Sequence, residues 1–294
     1  MLHTPPWLHS LIEKEALPNG FASLAMDYYL PLADTIQSWA QSSHTPLVIG
    51  INGAQGTGKS TMSKVLALAL EHKHSLKTAI ISIDDIYLTR AERTQLATEI
   101  HPLFQTRGVP GTHDTELGIQ LIQQLKDGKA PLIPVFNKAT DDRAEKDQWI
   151  TLDQPVDIIL FEGWCVGAIA QSDDLLETPC NQLEADEDSG ATWRTFANQQ
   201  LQGSYTELFQ LIDKLVILKA PDFECVYQWR KTQEEKLRNN TQGDAIMNEQ
   251  QIARFIMHYE RLTRWMFEEM PQRANCTITL SPDHSIAQVD YQNN

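Results

Sequence analysis

Apolar residues fall on helical spacing through the first part of the chain: Trp7, Leu8, Leu11 and Ile12, then Phe21, Leu24, Tyr28, Tyr29, Leu32, Ile36 and Trp39. The spacing predicts a helical N-terminal extension over residues 1–45, broken around Pro18-Asn19-Gly20 and again at Pro31. Beyond it the pattern changes. Short runs of Val, Ile and Leu at 46–52, 78–84, 130–136, 156–163 and 213–220 alternate with amphipathic stretches. Runs that are apolar almost throughout predict strands buried on both faces, hence an α/β fold with a mainly parallel sheet between two helical layers, over 46–294. Segment 171–190 is acidic and lacks periodicity, which predicts a mobile surface excursion. A long amphipathic region over 223–270 follows, interrupted near Asn239-Asn240 and Gly243. The tail carries two strand-like runs, Cys276 to Ser281 and Ile286 to Tyr291, joined by Pro282-Asp283-His284 in the manner of a hairpin. No internal repeat is visible.

Charge narrows the picture. The 294 residues hold 24 Lys and Arg against 39 Asp and Glu, a net charge of −15. Binding to nucleic acid or an anionic membrane relies on a surplus of cations, so both partners are disfavoured and an anionic ligand must meet a local basic cluster. Cys165, Cys180, Cys225 and Cys276 lie far apart with no CxxC pair, as expected of buried or idle thiols in a reducing compartment. The first residues show no basic stretch leading into an apolar run, and the longest apolar runs (65–70, 158–161) are too short to span a bilayer. A cytoplasmic protein is expected. The oligomeric state is left open.

The candidate chemistry begins at Gly53-Ala54-Gln55-Gly56-Thr57-Gly58-Lys59-Ser60, which fits GxxxxGK[ST], follows a predicted strand and opens a helical run at Thr61. Glycines let backbone N–H groups close around a phosphate, and the helix N-terminus adds positive potential. Lys59 would neutralise β/γ oxygens and Ser60 would ligate Mg²⁺. A guanine-specific switch protein would also carry Asn-Lys-x-Asp. The nearest string, Asn137-Lys138-Ala139-Thr140, has Thr140 at the required Asp and falls too early in the chain.

Acids close two other predicted strands. In an open parallel sheet the carboxyl ends of strands face the ligand crevice. Asp84, in Ile83-Asp84-Asp85-Ile86-Tyr87, suits a general base for phosphoryl transfer; the structural alternative, a cap on the next helix, is favoured for Asp85. Glu162, after the run ending Leu160-Phe161, is placed to assist Mg²⁺ or else is a satisfied buried carboxylate. Arg107, opening Arg107-Gly108-Val109-Pro110-Gly111-Thr112-His113-Asp114, joins Lys138 and Arg143 as the local basic cluster, unless these are scattered solvated charges.

Together these motifs resemble the P-loop kinases of small metabolites, the group of uridine kinase, phosphoribulokinase and bacterial pantothenate kinase, and most of all the D-glycerate 3-kinase family. The resemblance runs from about Pro46 to Pro271 through GxxGxGKST, SIDDIY, RGxPGTHD, PxFNKAxDDR, FEGWCVG and YQWR. It implies ATP and Mg²⁺ as cofactors, Asp84 as catalytic base, Glu162 as the acid near the metal, and Asp114 as a grip on substrate hydroxyls. Tyr87 and His113, inside the same motifs, fall on the substrate side. Arg230 falls where the group has a lid that closes over the transferring phosphate, although Arg230 with Glu234 also fits a plain i,i+4 surface pair. Two features depart from the pattern: Ile86 stands where an aromatic is common, and 171–190 has no place in a kinase core. No aromatic precedes Asp114 to stack a nucleobase, which favours a small non-aromatic hydroxy acid, D-glycerate, as acceptor. Pantothenate, a nucleoside or a sugar are the alternatives, as is a nucleotide-binding regulator without transfer activity.

Overall fold

The computed structural model describes residues 4–240 and 247–292, with the backbone alone for 236–240. Strands β1 (Leu47–Gly53), β2 (Thr78–Ser82), β5 (Ile158–Gly163), β6 (Lys214–Lys219), β7 (Cys276–Leu280) and β8 (Ile286–Tyr291) form one sheet in the order β2-β5-β1-β6-β7-β8. All neighbours run parallel except β8, which returns antiparallel to β7 as the expected terminal hairpin. Side chains alternate between two cores. Ile49, Ile51, Ile158, Leu160, Val216 and Leu218 face the helices of the N-terminal segment and the helix Lys59–His74. Val48, Ile159, Phe161, Leu215 and Ile217 face the helices Thr115–Lys126 and Ser204–Phe209 and much of Glu249–Glu269. Burial of both faces explains the near-continuous apolar runs.

The run at 130–136 does not enter this sheet. Pro131 and Pro134 cannot donate to a ladder, so the run yields a bridge at Ile133 and a two-residue strand, β3 (Phe136–Asn137), paired with β4 (Asp142–Arg143) in a separate ribbon. Pro31 does not break its helix either. Phe21–Leu24 and Leu30–Ala40 are joined by a π-helical turn at Ala25–Tyr29, the wide turn expected where a proline withholds its N–H and crowds the carbonyl of Asp27. The N-terminal segment shares the main core through Leu8, Leu11, Tyr29, Leu32 and Ile36. The long amphipathic region forms the helices Phe223–Asn240 and Glu249–Glu269; Gly243 lies outside the described residues.

Segment 171–190 lies at the surface as expected but is anchored, which its polarity had argued against. Its short helix Gln182–Glu187 buries Leu183 and Glu184. Glu184 accepts from Arg261 at 2.6 Å, and Asp188 pairs with the buried Arg194 at 3.0 Å. Arg261 also donates to the carbonyls of Leu175 and Thr178, so two arginines from later helices satisfy the acids and the loop backbone together. The four cysteines are free, Cys165 and Cys276 buried. No helix among the described residues is long and apolar enough to cross a membrane.

Because Glu184 is fully buried, Glu184→Ala leaves the Arg194 and Arg261 cations short of their counter-charge. Loss of one partner of a buried pair costs about 3–5 kcal/mol, to be read from urea denaturation. A loss below about 1 kcal/mol, the range of exposed pairs, would show that the acid does not hold the segment down.

Candidate active site

Register brings the chemistry to one edge of the sheet. Ile51 stands beside Glu162 across β1 and β5, and Glu162 beside Ser82 across β5 and β2. The phosphate loop after β1, the acid at the end of β5 and the turn after β2 therefore meet at the carboxyl ends.

In the loop, Gly56 and Gly58 adopt φ of +85° and +87°, the left-handed region open to glycine. Gly58 immediately precedes the 16-residue helix Lys59–His74 and accepts from Met62 N–H at 2.9 Å. Thr57 Oγ1 donates to the Ala54 carbonyl at 2.9 Å, closing the loop on itself, while Oε1 of Gln55 is buried without a partner. Thr61 follows inside the first turn of the helix. The loop is braced from outside as well. His284, at the tip of the β7–β8 turn, hydrogen-bonds the Gly56 carbonyl through Nε2 at 2.9 Å and stacks on Trp229 with ring centroids 4.2 Å apart. Sequence alone gives neither residue this role, although Trp229 lies in YQWR and His284 in the tail turn, since the tail and the helix Phe223–Asn240 meet the loop only in three dimensions.

Ser60 Oγ donates to Glu162 Oε1 at 2.9 Å, and Glu162 Oε2 is buried with no partner. A hydroxyl and an unsatisfied carboxylate oxygen beside a phosphate loop fit Mg²⁺, which takes one or two protein ligands and completes its shell with phosphate and water. Asp84 and Asp85 sit in a 3₁₀ turn, Ile83–Ile86, capped by the Ser82 hydroxyl. Their side chains diverge. Asp84 faces an open cleft, with Lys138 Nζ 2.8 Å from Oδ2 and the Tyr87 hydroxyl donating to Oδ1 at 2.9 Å. Burial pushes its carboxyl up, but Lys138, with help from Lys59 and Tyr87, overrides this and brings it down to about 2. Asp85 turns away and accepts the Phe136 N–H at 3.0 Å; burial, with Asp84 adding to it, pushes it up to about 6. Asp85 thus docks the ribbon rather than capping a helix.

The three cations of the expected cluster converge on the ribbon, each against an acid. Arg107 pairs with Asp141 and lies over the Phe136 ring, 5.4 Å from its centroid. Arg143 donates to Asp114 at 3.0 Å and to the Tyr87 carbonyl at 2.9 Å. Lys138 holds Asp84, and both Arg107 and Lys138 line the cleft. Asp114 caps the helix Thr115–Lys126 through Leu117 N–H, so its oxygens serve a helix and an arginine. His113 is buried behind Tyr87, stacked on it at 4.6 Å, and hydrogen-bonds the Tyr205 hydroxyl through Nδ1 at 2.6 Å; burial lowers it to about 3, leaving it neutral. Tyr87 reaches the cleft, whereas His113, Asp114 and Arg143 stand behind it as support.

Sequence alone gives the far wall no role, although Trp164 lies inside FEGWCVG. Trp164 and Tyr259 pack edge to face at 4.8 Å and hold the Arg107-Gly108 backbone, through Trp164 Nε1 to the Gly108 carbonyl at 2.7 Å and Tyr259 OH to the Arg107 carbonyl at 3.1 Å. Arg230 pairs with Glu234, yet it also lines the cleft, over the Phe255 ring, with Nε buried and unpartnered. The surface pair and the cleft position coexist.

A glycine-rich phosphate loop opening a helix at the carboxyl edge of a parallel sheet defines a P-loop nucleotide-binding protein. A profile of the phosphoribulokinase / uridine kinase family matches residues 48–177. The chloroplastic D-glycerate 3-kinase of Arabidopsis thaliana is 32% identical over 225 residues, which cover 73% of this chain but only 46% of the plant protein. The uncharacterized kinase mug58 of Schizosaccharomyces pombe is 31% identical over 223 residues, covering 73% of this chain and 78% of its own. The structure of D-glycerate 3-kinase from Cryptococcus neoformans var. grubii superimposes with a TM-score of 0.75 at 24% identity, over 90% of this chain and 99% of that one, and thus shares the fold. The chain belongs to the phosphoribulokinase/uridine kinase family and is a kinase, and membership implies ATP as phosphoryl donor.

A Cβ at Gly56 would come 2.7 Å from Trp229 Cβ, and the left-handed φ adds strain. Strain of about 1–3 kcal/mol makes Gly56→Ala weaken ATP binding by about tenfold or more, measured by calorimetry. Unchanged affinity would show that the Trp229–His284 brace leaves the loop free to move.

Proposed function

We propose that the protein transfers the γ-phosphoryl group of ATP to a hydroxyl of a small hydroxy acid, D-glycerate in particular. The observation that carries this reading is the Asp84 carboxylate, facing the cleft beside Lys138 and within electrostatic reach of Lys59. Asp84 accepts the proton of the attacking hydroxyl. Lys59 and the loop amides hold the β- and γ-phosphates, and Arg230 contributes positive charge on the side of the helix Phe223–Asn240. Ser60 and Glu162 would hold Mg²⁺, which neutralises charge on the β/γ oxygens when bound. Trp164 and Tyr259 keep the Arg107-Gly108 backbone in place. Arg107 and Lys138 supply the cations that a carboxylate on the acceptor needs.

Support for glycerate comes from the named plant relative and from the two cations on the acceptor side. The expectation of a non-aromatic acceptor rested on the lack of an aromatic before Asp114. The cleft takes its rings from Tyr87, Trp164, Phe255 and Tyr259 instead, so uridine stays in the comparison below. Free thiols suit a reducing, cytoplasmic setting.

Asp84→Asn keeps the shape and removes the base, so kcat should fall about 10²- to 10⁴-fold with ATP affinity little changed. Asp85→Asn should be milder, because its oxygen serves the Phe136 N–H; the reverse order would exchange their roles. The acceptor is read from kcat/KM for D-glycerate against pantothenate, uridine and ribulose 5-phosphate. A preference for any of the last three removes the glycerate assignment and leaves a kinase.

A further inference from the structure

Lys138 sits on the turn between β3 and β4, its side chain 62% exposed, yet its ammonium lies on the base. With Tyr87 on Oδ1 and Lys138 on Oδ2, both oxygens of Asp84 are occupied. An acceptor hydroxyl that approaches Asp84 must compete with the ammonium at Oδ2, and the charge of that ammonium weakens the carboxylate as a base. Of the other three cations of the cleft, Lys59 belongs to the phosphate loop, Arg107 is held by Asp141 and Arg230 by Glu234. Lys138 is the one whose partner is the base itself, carried on a two-strand ribbon docked through the Asp85–Phe136 bond.

We propose that Lys138 is an acceptor-operated latch: it covers Asp84 while the acceptor site is empty and is drawn off by the carboxylate of the incoming acid, so that the base is uncovered only when an anionic acceptor is in place. The proposal rests on Asp84 being the base and adds to that reading a control over when it acts. The Lys138 side chain is largely exposed, so a second carboxylate can reach the same ammonium and compete for it. With the acid seated, the acceptor oxygen bonds to the γ-phosphorus as the bond from that phosphorus to the bridging oxygen breaks. ADP leaves with the electron pair, and the proton goes to Asp84. With water in place of the acid the same balance gives ADP and orthophosphate, a wasteful hydrolysis that a covered base suppresses.

The titratable groups within electrostatic reach of Asp84 are Lys138 on the ribbon, Lys59 at the phosphate loop, Tyr87 and Asp85 on its own turn, His113 behind Tyr87, Cys165 after β5, and Tyr259 on the helix Glu249–Glu269. Lys138 exerts the largest lowering effect among them, against burial. Withdrawing it moves the carboxyl up from about 2, while Lys59 and Tyr87 still favour the ionised form. The uncovered group is then a stronger base.

The test compares wild type with Lys138→Met and, in case that variant folds poorly, Lys138→Gln, of similar length. ATP hydrolysis without acceptor should rise about tenfold, a fraction of the usual worth of general-base catalysis. Turnover of glycerol, which has hydroxyls but no carboxylate to draw the lysine away, should rise as well, while kcat/KM for D-glycerate falls. Asp84 is depressed in the folded enzyme, so the acid limb of acceptor-free ATP hydrolysis should lie at lower pH in wild type than in the variants. Lys138→Arg should restore all four behaviours towards wild type. A lysine that only binds the carboxylate would raise KM for glycerate and leave hydrolysis, glycerol turnover and the acid limb unmoved, which overturns the latch. If wild type phosphorylates no acid at all, the acceptor reading fails by itself, and the hydrolysis rate and acid limb still decide the latch.

Discussion

The hydrogen bond from Ser60 to Glu162 joins the first turn of the loop helix to the end of β5, and it forms only because β1 and β5 run parallel with Ile51 beside Glu162. That register is fixed by two apolar cores on opposite faces. A slip of one residue would carry Ile159 and Phe161 to the wrong core and Glu162 with them, so core packing and placement of the acid are one constraint. Everything at the cleft inherits it: Ser82 stands opposite Glu162, and Asp84 follows two residues on.

An acidic protein that handles anions must spend its few cations carefully. At the site, no cation of the acceptor side stands alone: Arg107, Lys138 and Arg143 meet Asp141, Asp84 and Asp114. Asp141 also takes Arg93, which is fully buried and reaches the carbonyls of Leu88, Gln105 and Asp141 itself. An arginine with no exposed surface is tolerable only with its donors satisfied, and here the satisfied donors tie the 107 loop to the ribbon turn. The cations are thus positioned before a ligand arrives, which lowers the entropy that binding would otherwise lose.

The phosphate loop and the acids at the strand ends were legible because each depends on a few consecutive residues at a strand–helix junction. The same holds for the four apolar runs that became strands of the main sheet. The run at 130–136 misled because its apolar content resembles a strand while Pro131 and Pro134 forbid the ladder, and hydropathy registers only the first property. The anchoring of 171–190 was hidden because the arginines that neutralise Glu184 and Asp188 lie up to 77 positions away in sequence. Trp164, Trp229, Tyr259 and His284 were missed for the same reason, since a brace is defined by what it touches. Arg230 shows the converse: an i,i+4 pair read locally as surface chemistry also presents its cation to the cleft.

Asp84 and Asp85 share a turn and most of their neighbours, yet one is pulled down to about 2 and the other pushed up to about 6. Burial acts on both in the same direction, so the difference comes from what each carboxylate faces. Asp84 has an ammonium and a phenol, whereas Asp85 has one amide N–H and the charge of Asp84 itself. The two are linked through the ribbon. The Phe136 N–H that Asp85 accepts fixes the strand whose turn carries Lys138, and Lys138 is what depresses Asp84. One acid therefore sets the electrostatic state of the other through the short strand Phe136–Asn137. A substitution at Asp85 acts on Asp84 without touching it, by moving the lysine.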